Sequence, residues 1–180
     1  MSTTSIAQNY AEALFELAGK STRFEEYGRL LQATARALAM SPEVQSVLVS
    51  PKITKSLKSE LVGRALAAAG APREFVLYLQ AVVKRGRQGL FTEISSAYND
   101  LLDRHLNRVR ATVTVARNPD EALEQQIVAS LSRMLGKDVL ATFMVEPEIL
   151  GGTIVKVGDR LYDGSVRRRL VQLRRQLLSR

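Results

Sequence analysis

Apolar residues fall at helical spacing through the first two-thirds of the chain and then switch to alternation, and that switch divides the sequence. Thr3 to Ser5 offer cap candidates before a run from Ile6 to Ala18, which Gly19 is expected to close. Thr22 and Glu25 have capping-box spacing and predict a second helix with Phe24, Tyr27, Leu31 and Leu38 on one face. Ser41-Pro42 predicts a short third helix through Val49, broken by Ser50-Pro51. A fourth, from Thr54 toward Gly70, carries Leu57, Leu61, Ala65 and Leu66. A fifth runs from Pro72 to near Lys84, and Gly86 and Gly89 separate it from a sixth, Phe91 to near Leu106. Short connections between such elements predict an antiparallel bundle.

After Asn107, the residues Val109, Ala111, Val113 and Val115 alternate with Arg110, Thr112 and Thr114, the period of a half-buried strand. Asn118-Pro119-Asp120-Glu121 predicts a helix start with Asn118 as cap. Leu123, Ile127, Leu131 and Met134 form its expected buried stripe, and Gly136 stops it. Val139 to Val145 predicts a second strand. Thr153 to Val157 and Arg160 to Tyr162 predict a hairpin about Gly158-Asp159. Ser165 is placed to cap a last helix with Val166, Leu170, Leu173 and Leu177 inward. The expected fold is therefore α+β: an N-terminal all-α six-helix bundle over 1–105, then a small C-terminal α/β domain over 106–180 with a short sheet and two helices.

Apolar residues make up 46% and charged residues 24%, a globular composition with enough apolar surface for a core. No run approaches the roughly 18 apolar residues of a membrane span. The first twenty residues hold Glu12 and Glu16 and no arginine, unlike a signal or transit peptide, so the chain is expected to stay where it is made. Cysteine is absent and His105 is the single histidine, which excludes thiolate metal sites, cysteine nucleophiles and histidine pairs. On a helix rich in Asn, Asp and Arg, His105 reads as solvated rather than as a triad member.

Gly151-Gly152 lacks the Gly-Lys-Ser/Thr of a phosphate-binding loop. Asp159 and Asp163 fit turn roles at the ends of a short strand better than an acid/base pair. No catalytic, metal-binding or cofactor-binding residue is expected, and the chain reads as a non-enzyme.

Of the net charge of +8, residues 164–180 contribute six arginines and no acid, leaving the body near neutral. A solvated face and an acidic partner helix are both open readings of this terminal helix. A basic nucleic-acid-binding adaptor is the alternative function, but aromatics are 6%, tryptophan is absent and no nucleic-acid motif appears.

Two helices carry more apolar surface than one packing face needs. Projected at about 100° per residue, the first helix confines Gln8, Asn9, Glu12 and Glu16 to an arc of roughly 100°, while its apolar residues fill roughly 200°. Either this helix is central in the bundle, or one edge stays open for an external helix. The fifth helix packs Phe75, Val76, Tyr78, Leu79, Val82 and Val83 inward and leaves Leu77 and Ala81 on its polar side, one turn apart, where an amphipathic helix could rest.

The stretch Ile149-Leu150-Gly151-Gly152 through Val157-Gly158-Asp159, then Asp163-Gly164-Ser165-Val166 and Leu170-x-x-Leu173, resembles the C-terminal signature of F-type ATP synthase delta subunits, the oligomycin-sensitivity conferring protein family. Tyr10-Ala11-x-Ala13-Leu14-Phe15-x-Leu17-Ala18 is similar to that family's first helix, and Gly86-Arg87 to the Gly-Arg that follows its fifth. Arg85 departs from the asparagine of many members. The resemblance spans the whole chain.

It implies a non-catalytic stator subunit on the cytoplasmic face of the bacterial plasma membrane, peripheral and held there by the complex. In the family the helical domain binds the N-terminal helix of an alpha subunit between helices 1 and 5. The C-terminal domain binds the b subunits of the peripheral stalk, so that rotor torque drives ATP synthesis. On this basis Tyr10, Ala13, Leu77 and Ala81 are expected to line the alpha-subunit groove, with Leu14 and Leu17 in the core. Arg174 and Arg175 are expected at the b-subunit contact.

Overall fold

The computed structural model describes the backbone of residues 3–178 and the side chains of 4–172. Its packing separates two compact units, Met1–Leu102 and Asp103–Arg180. The fold is α+β, helical first and mixed afterwards.

The first part contains α1 (Thr3–Ser21), α2 (Phe24–Met40), α3 (Pro42–Val49), α4 (Lys55–Ala68), α5 (Arg73–Lys84) and, after a 3-10 turn at Gln88–Leu90, α6 (Phe91–His105). Its interior is aromatic and aliphatic, with Leu14, Tyr27, Leu31, Phe75, Leu79 and Tyr98 among the fully buried side chains. The rings of Tyr27 and Phe75 lie 5.6 Å apart. Tyr98 keeps its phenol satisfied by donating to the carbonyl of Phe24 at 2.8 Å.

Several local expectations are corrected here. Gly19 does not end α1, which continues to Ser21. A Cβ at Gly19 would sit in ordinary contact, 3.4 Å from the ring of Phe24, which itself packs 4.7 Å from Phe15. Thr22 does not form a capping box. It turns the chain with φ 53, and its hydroxyl donates to the carbonyl of Ser21 at 2.7 Å rather than serving α2. The cap position of α2 is Arg23, without a side-chain bond, and Glu25 and Glu26 lie against the positive end of the helix.

The fourth helix is capped as expected, Thr54 accepting from the N–H of Leu57 at 3.3 Å. Its inward face, however, is polar: Lys58, Ser59 and Gly63 are buried, while Leu57 and Leu61 are exposed. Gln80 of α5 explains this. Its amide donates to the carbonyl of Ser59, and the Ser59 hydroxyl donates to the carbonyl of Gln80, both at 3.3 Å. A side chain at Gly63 would occupy the space of that amide. Paired polar groups thus replace leucine at this seam.

The second unit follows with β1 (Arg108–Val115), α7 (Glu121–Leu135), β2 (Asp138–Val145), a 3-10 turn at Pro147–Ile149, β3 (Thr153–Val157), β4 (Arg160–Asp163) and α8 (Val166–Leu178). The sheet order is β2-β1-β3-β4. β1 and β2 are parallel, joined through α7, and β3 and β4 add antiparallel. The alternation in β1 does what it predicts: Ala111, Val113 and Val115 join Val139, Val155 and Leu131 in the core.

The α7 stripe needs correction. Asp120, not Asn118, caps the helix, accepting from Leu123 at 2.8 Å, and Leu123 and Met134 are exposed. Ile127, Val128, Leu131 and Leu135 pack on the sheet instead. Gly152 sits at φ 79 where a Cβ would come within 2.5 Å of the Gly164 carbonyl, so two backbone segments meet only because this residue is glycine. Gly164 donates to Thr153 and Val166 to Gly151, each at 2.9 Å, so the Gly-Gly motif docks the entry to α8.

Candidate partner-binding surfaces

The cleft between α1 and α5 is built from the helical repeat of both elements. On α1, the buried row is Ala7, Ala11, Leu14 and Ala18. Beside it run Ile6, Tyr10 and Leu17, half-buried, and then Ala13, exposed. The apolar arc is therefore wider than the buried face. On α5, Phe75, Leu79, Val82 and Val83 are buried, while Leu77 (54% exposed) and Ala81 face out.

A cleft of about 460 Å³ opens there, lined by Ile6, Asn9, Tyr10, Ala13, Tyr78, Ala81, Val82, Arg85 and Arg87. Three of the four expected residues, Tyr10, Ala13 and Ala81, are brought together in it. Leu77 is exposed but does not line it. Leu14 is core and Leu17 half-buried.

Tyr78 fixes the floor of the cleft. Its hydroxyl donates to the backbone carbonyl of Tyr10 at 2.7 Å. Burial, with Tyr10 and Tyr98 nearby, pushes the phenol above its ordinary range, so it remains a neutral donor. Sequence reading placed Tyr78 and Val82 on the core side and missed Ile6, Asn9, Arg85 and Arg87 as lining residues. Ile6 and Asn9 stand one turn before Tyr10 and Ala13, so the helical period carried that signal. The arginines follow α5 in a turn that has no period to read.

A larger cleft of about 620 Å³ lies between α2, α3 and α4, and nothing in the sequence reading pointed to it. Leu61, Ala65 and Leu66, the apolar residues read on the fourth helix, line it with Leu30, Val44 and Val47. The C-terminal end of α3 is held beside it: Lys58 donates to the Ser50 carbonyl at 2.7 Å and Gln88 to that of Leu48 at 2.9 Å. Although smaller, the α1–α5 cleft is the better candidate site, because it combines apolar floor and charged rim.

In the second unit, Ser165 caps α8 as expected, accepting from the N–H of Arg168 at 3.2 Å. Asp163 accepts from Ser165 at 3.0 Å, and that hydrogen bonding holds its carboxyl below the usual range. This is a turn role. Leu170 is 53% exposed and Val166 and Val171 are also exposed, so the expectation of an inward Val166 and Leu170 is corrected. Between Arg167 and Gln172 every side chain is exposed, and each charged one is an arginine. Arg174 and Arg175, with Leu173 and Leu177, lie outside the residues whose side chains are described.

The family model described as "ATP synthase delta (OSCP) subunit" matches residues 6–177. The chain belongs to the ATP synthase delta (OSCP) subunit family. It is 41% identical over 173 residues to "ATP synthase subunit delta" of Gemmatimonas aurantiaca, covering 96% of this chain and 93% of that one. The corresponding protein of Desulforamulus reducens is 33% identical over 175 residues, covering 97% and 96%.

The fold of this delta-family chain is also that of a chain in the Toxoplasma gondii mitochondrial ATP synthase hexamer, with TM-score 0.68 and 20% identity over 96% of this chain and 97% of the other. A chain of the Polytomella F-ATP synthase matches 55% of it, with 87% of that chain covered, TM-score 0.52 and 16% identity. Among the described residues of this delta-family member, no helix is long and apolar enough to cross a membrane.

Proposed function

We propose that the chain is the non-catalytic stator subunit of a proton-translocating F-type ATP synthase, tying the alpha subunit's N-terminal helix to the b subunits of the peripheral stalk. The family match along residues 6–177 carries the reading. The α1–α5 cleft supports the head contact, since Ala13 and Ala81 are exposed small residues over which a partner helix can approach closely. The exposed first turns of α8, whose charged residues are all arginine, support the stalk contact through charge complementarity with an acidic partner. Membrane association is then indirect, on the cytoplasmic face, through the complex.

The nucleic-acid adaptor reading gains nothing from the structure, because Arg167, Arg168 and Arg169 are followed by exposed Leu170 and Val171 rather than interleaved with stacking aromatics. Co-purification tests the proposal. From detergent-solubilised membranes the tagged chain is expected to bring down alpha and b subunits, and recovery of neither overturns it.

A further inference from the structure

The lining of the α1–α5 cleft is chemically divided. Ile6, Ala13, Ala81 and Val82 give it an apolar stretch, and Arg85 and Arg87 add two cations at the end of α5. The turn that closes α5 sets both arginines. Arg85 donates its N–H to Ala81 at 3.1 Å, Gly86 turns the chain at φ 70, and Arg87 donates back to Val82 at 3.1 Å. The chain therefore wraps the helix end, and residues two apart line one cleft, both exposed.

Among the described residues neither arginine is in an ion pair with a carboxylate of this chain. Complementing the α5 dipole would account for basic residues here, but Lys84 in the last turn already does that from outside the cleft. The volume of about 460 Å³ suits a few side chains from one face of a helix, not a whole helix.

We propose that this cleft takes an amphipathic helix which lays a small, apolar face over Ala13 and Ala81 and carries an Asp or Glu carboxylate against Arg85 and Arg87. The pairing fixes which way the ligand helix points, because the apolar stretch alone would accept either direction. It deepens the alpha-subunit reading of the site and rests on it. It also makes Arg85 a residue that adds charge selectivity.

The test is titration of a synthetic alpha-subunit N-terminal peptide from the same enzyme into the full chain, at low and physiological salt. The proteins are wild type, Ala81→Arg, and the double variant Arg85→Gln/Arg87→Gln. The double variant is expected to bind roughly fivefold more weakly at low salt and to lose most of the salt dependence. Replacing the peptide's acids one at a time by their amides is expected to reveal one position whose loss weakens wild type but not the double variant. If wild type fails to bind, the alpha-subunit reading itself fails. If wild type binds and Ala81→Arg does not, but the double variant keeps its affinity and salt slope, the carboxylate pairing is overturned. A weakened double variant with no coupled acidic position overturns it as well.

Discussion

The phenol of Tyr78 donates to the backbone carbonyl of Tyr10 across 2.7 Å, joining α5 to α1 at the floor of the cleft. Tyr78→Phe keeps the ring and deletes only that bond. It is expected to cost about 1 kcal/mol, which lowers the melting temperature of the helical unit by about 4–8 °C. Thermal denaturation followed by circular dichroism checks this, and an unshifted melt would show that the bond adds nothing to the α1–α5 seam.

Gly152→Ala is expected to be far more damaging than most single changes in the second unit. The residue sits at φ 79, and its new Cβ would meet the backbone oxygen of Gly164, which cannot rotate away as a side chain can. A loss of about 2–3 kcal/mol is expected, read from urea unfolding. Gly158→Ala, also at positive φ but with open space around it, is the control and should cost less.

Asp103 receives two arginines, Arg108 Nε on Oδ1 at 2.7 Å and Arg110 Nε on Oδ2 at 2.6 Å. Burial alone would raise its pKa, but hydrogen bonds from Arg110 and Arg108 outweigh burial and hold it below the ordinary carboxylate range. A depressed folded pKa stabilises above the unfolded value of about 3.9, and that contribution is lost as pH falls through the folded pKa. Wild type is therefore expected to lose stability below about pH 4 more steeply than Asp103→Asn. At pH 7 the variant should be less stable by about 1–2 kcal/mol, since both arginines lose a charged acceptor. Acid titrations of the two proteins, side by side, decide it. Parallel curves would remove Asp103 from the account.

What was legible in the sequence followed whether local rules or distant partners chose the face. β1 was readable residue by residue because a strand buried on one face must alternate, and Ala111, Val113 and Val115 had no other pattern to satisfy. α4 was misread because Gln80, twenty-one residues beyond Ser59, chose its inward face by amide pairing, and no local period records that. Thr22 had capping-box spacing, but a cap needs extended backbone there, and the α1–α2 turn demanded φ 53 instead. In the cleft, Ala13 and Ala81 were visible as apolar residues outside the packing face. Arg85 and Arg87 were not, since a turn after a helix gives no periodicity from which to place a side chain.

Neutralising Arg174 and Arg175 tests the stalk contact without disturbing the start of α8, where the Ser165 hydroxyl accepts from the N–H of Arg168 and the Gly151 carbonyl from that of Val166. Arg174→Gln/Arg175→Gln is expected to leave the melt unchanged and to weaken capture of a soluble b-subunit fragment. It should also flatten the dependence of capture on salt. Capture that is unaltered at every salt concentration would make these arginines a solvated face.

The alpha-subunit cleft gives the sharpest expectation. Ala13 and Ala81 both line it and both are exposed, so a long charged side chain at either can reach solvent in the free protein. Ala13→Arg and Ala81→Arg should therefore change stability by no more than about 0.5 kcal/mol. Under a bound helix the same guanidinium would be covered by an apolar face without a partner, at a cost of several kcal/mol, enough to abolish measurable binding. Leu77 separates cleft from general surface: it is exposed on the same helix but outside the lining, so Leu77→Arg should weaken peptide binding much less. Calorimetric titration of the alpha-subunit N-terminal peptide into all three variants, with melts alongside, reads both quantities. Lost binding with an unshifted melt for Ala13→Arg and Ala81→Arg marks a docking cleft. Equal loss from Leu77→Arg would extend the contact along α5 toward its N-terminal half. Collapsed melts for the alanine variants would mean that these positions support the bundle itself.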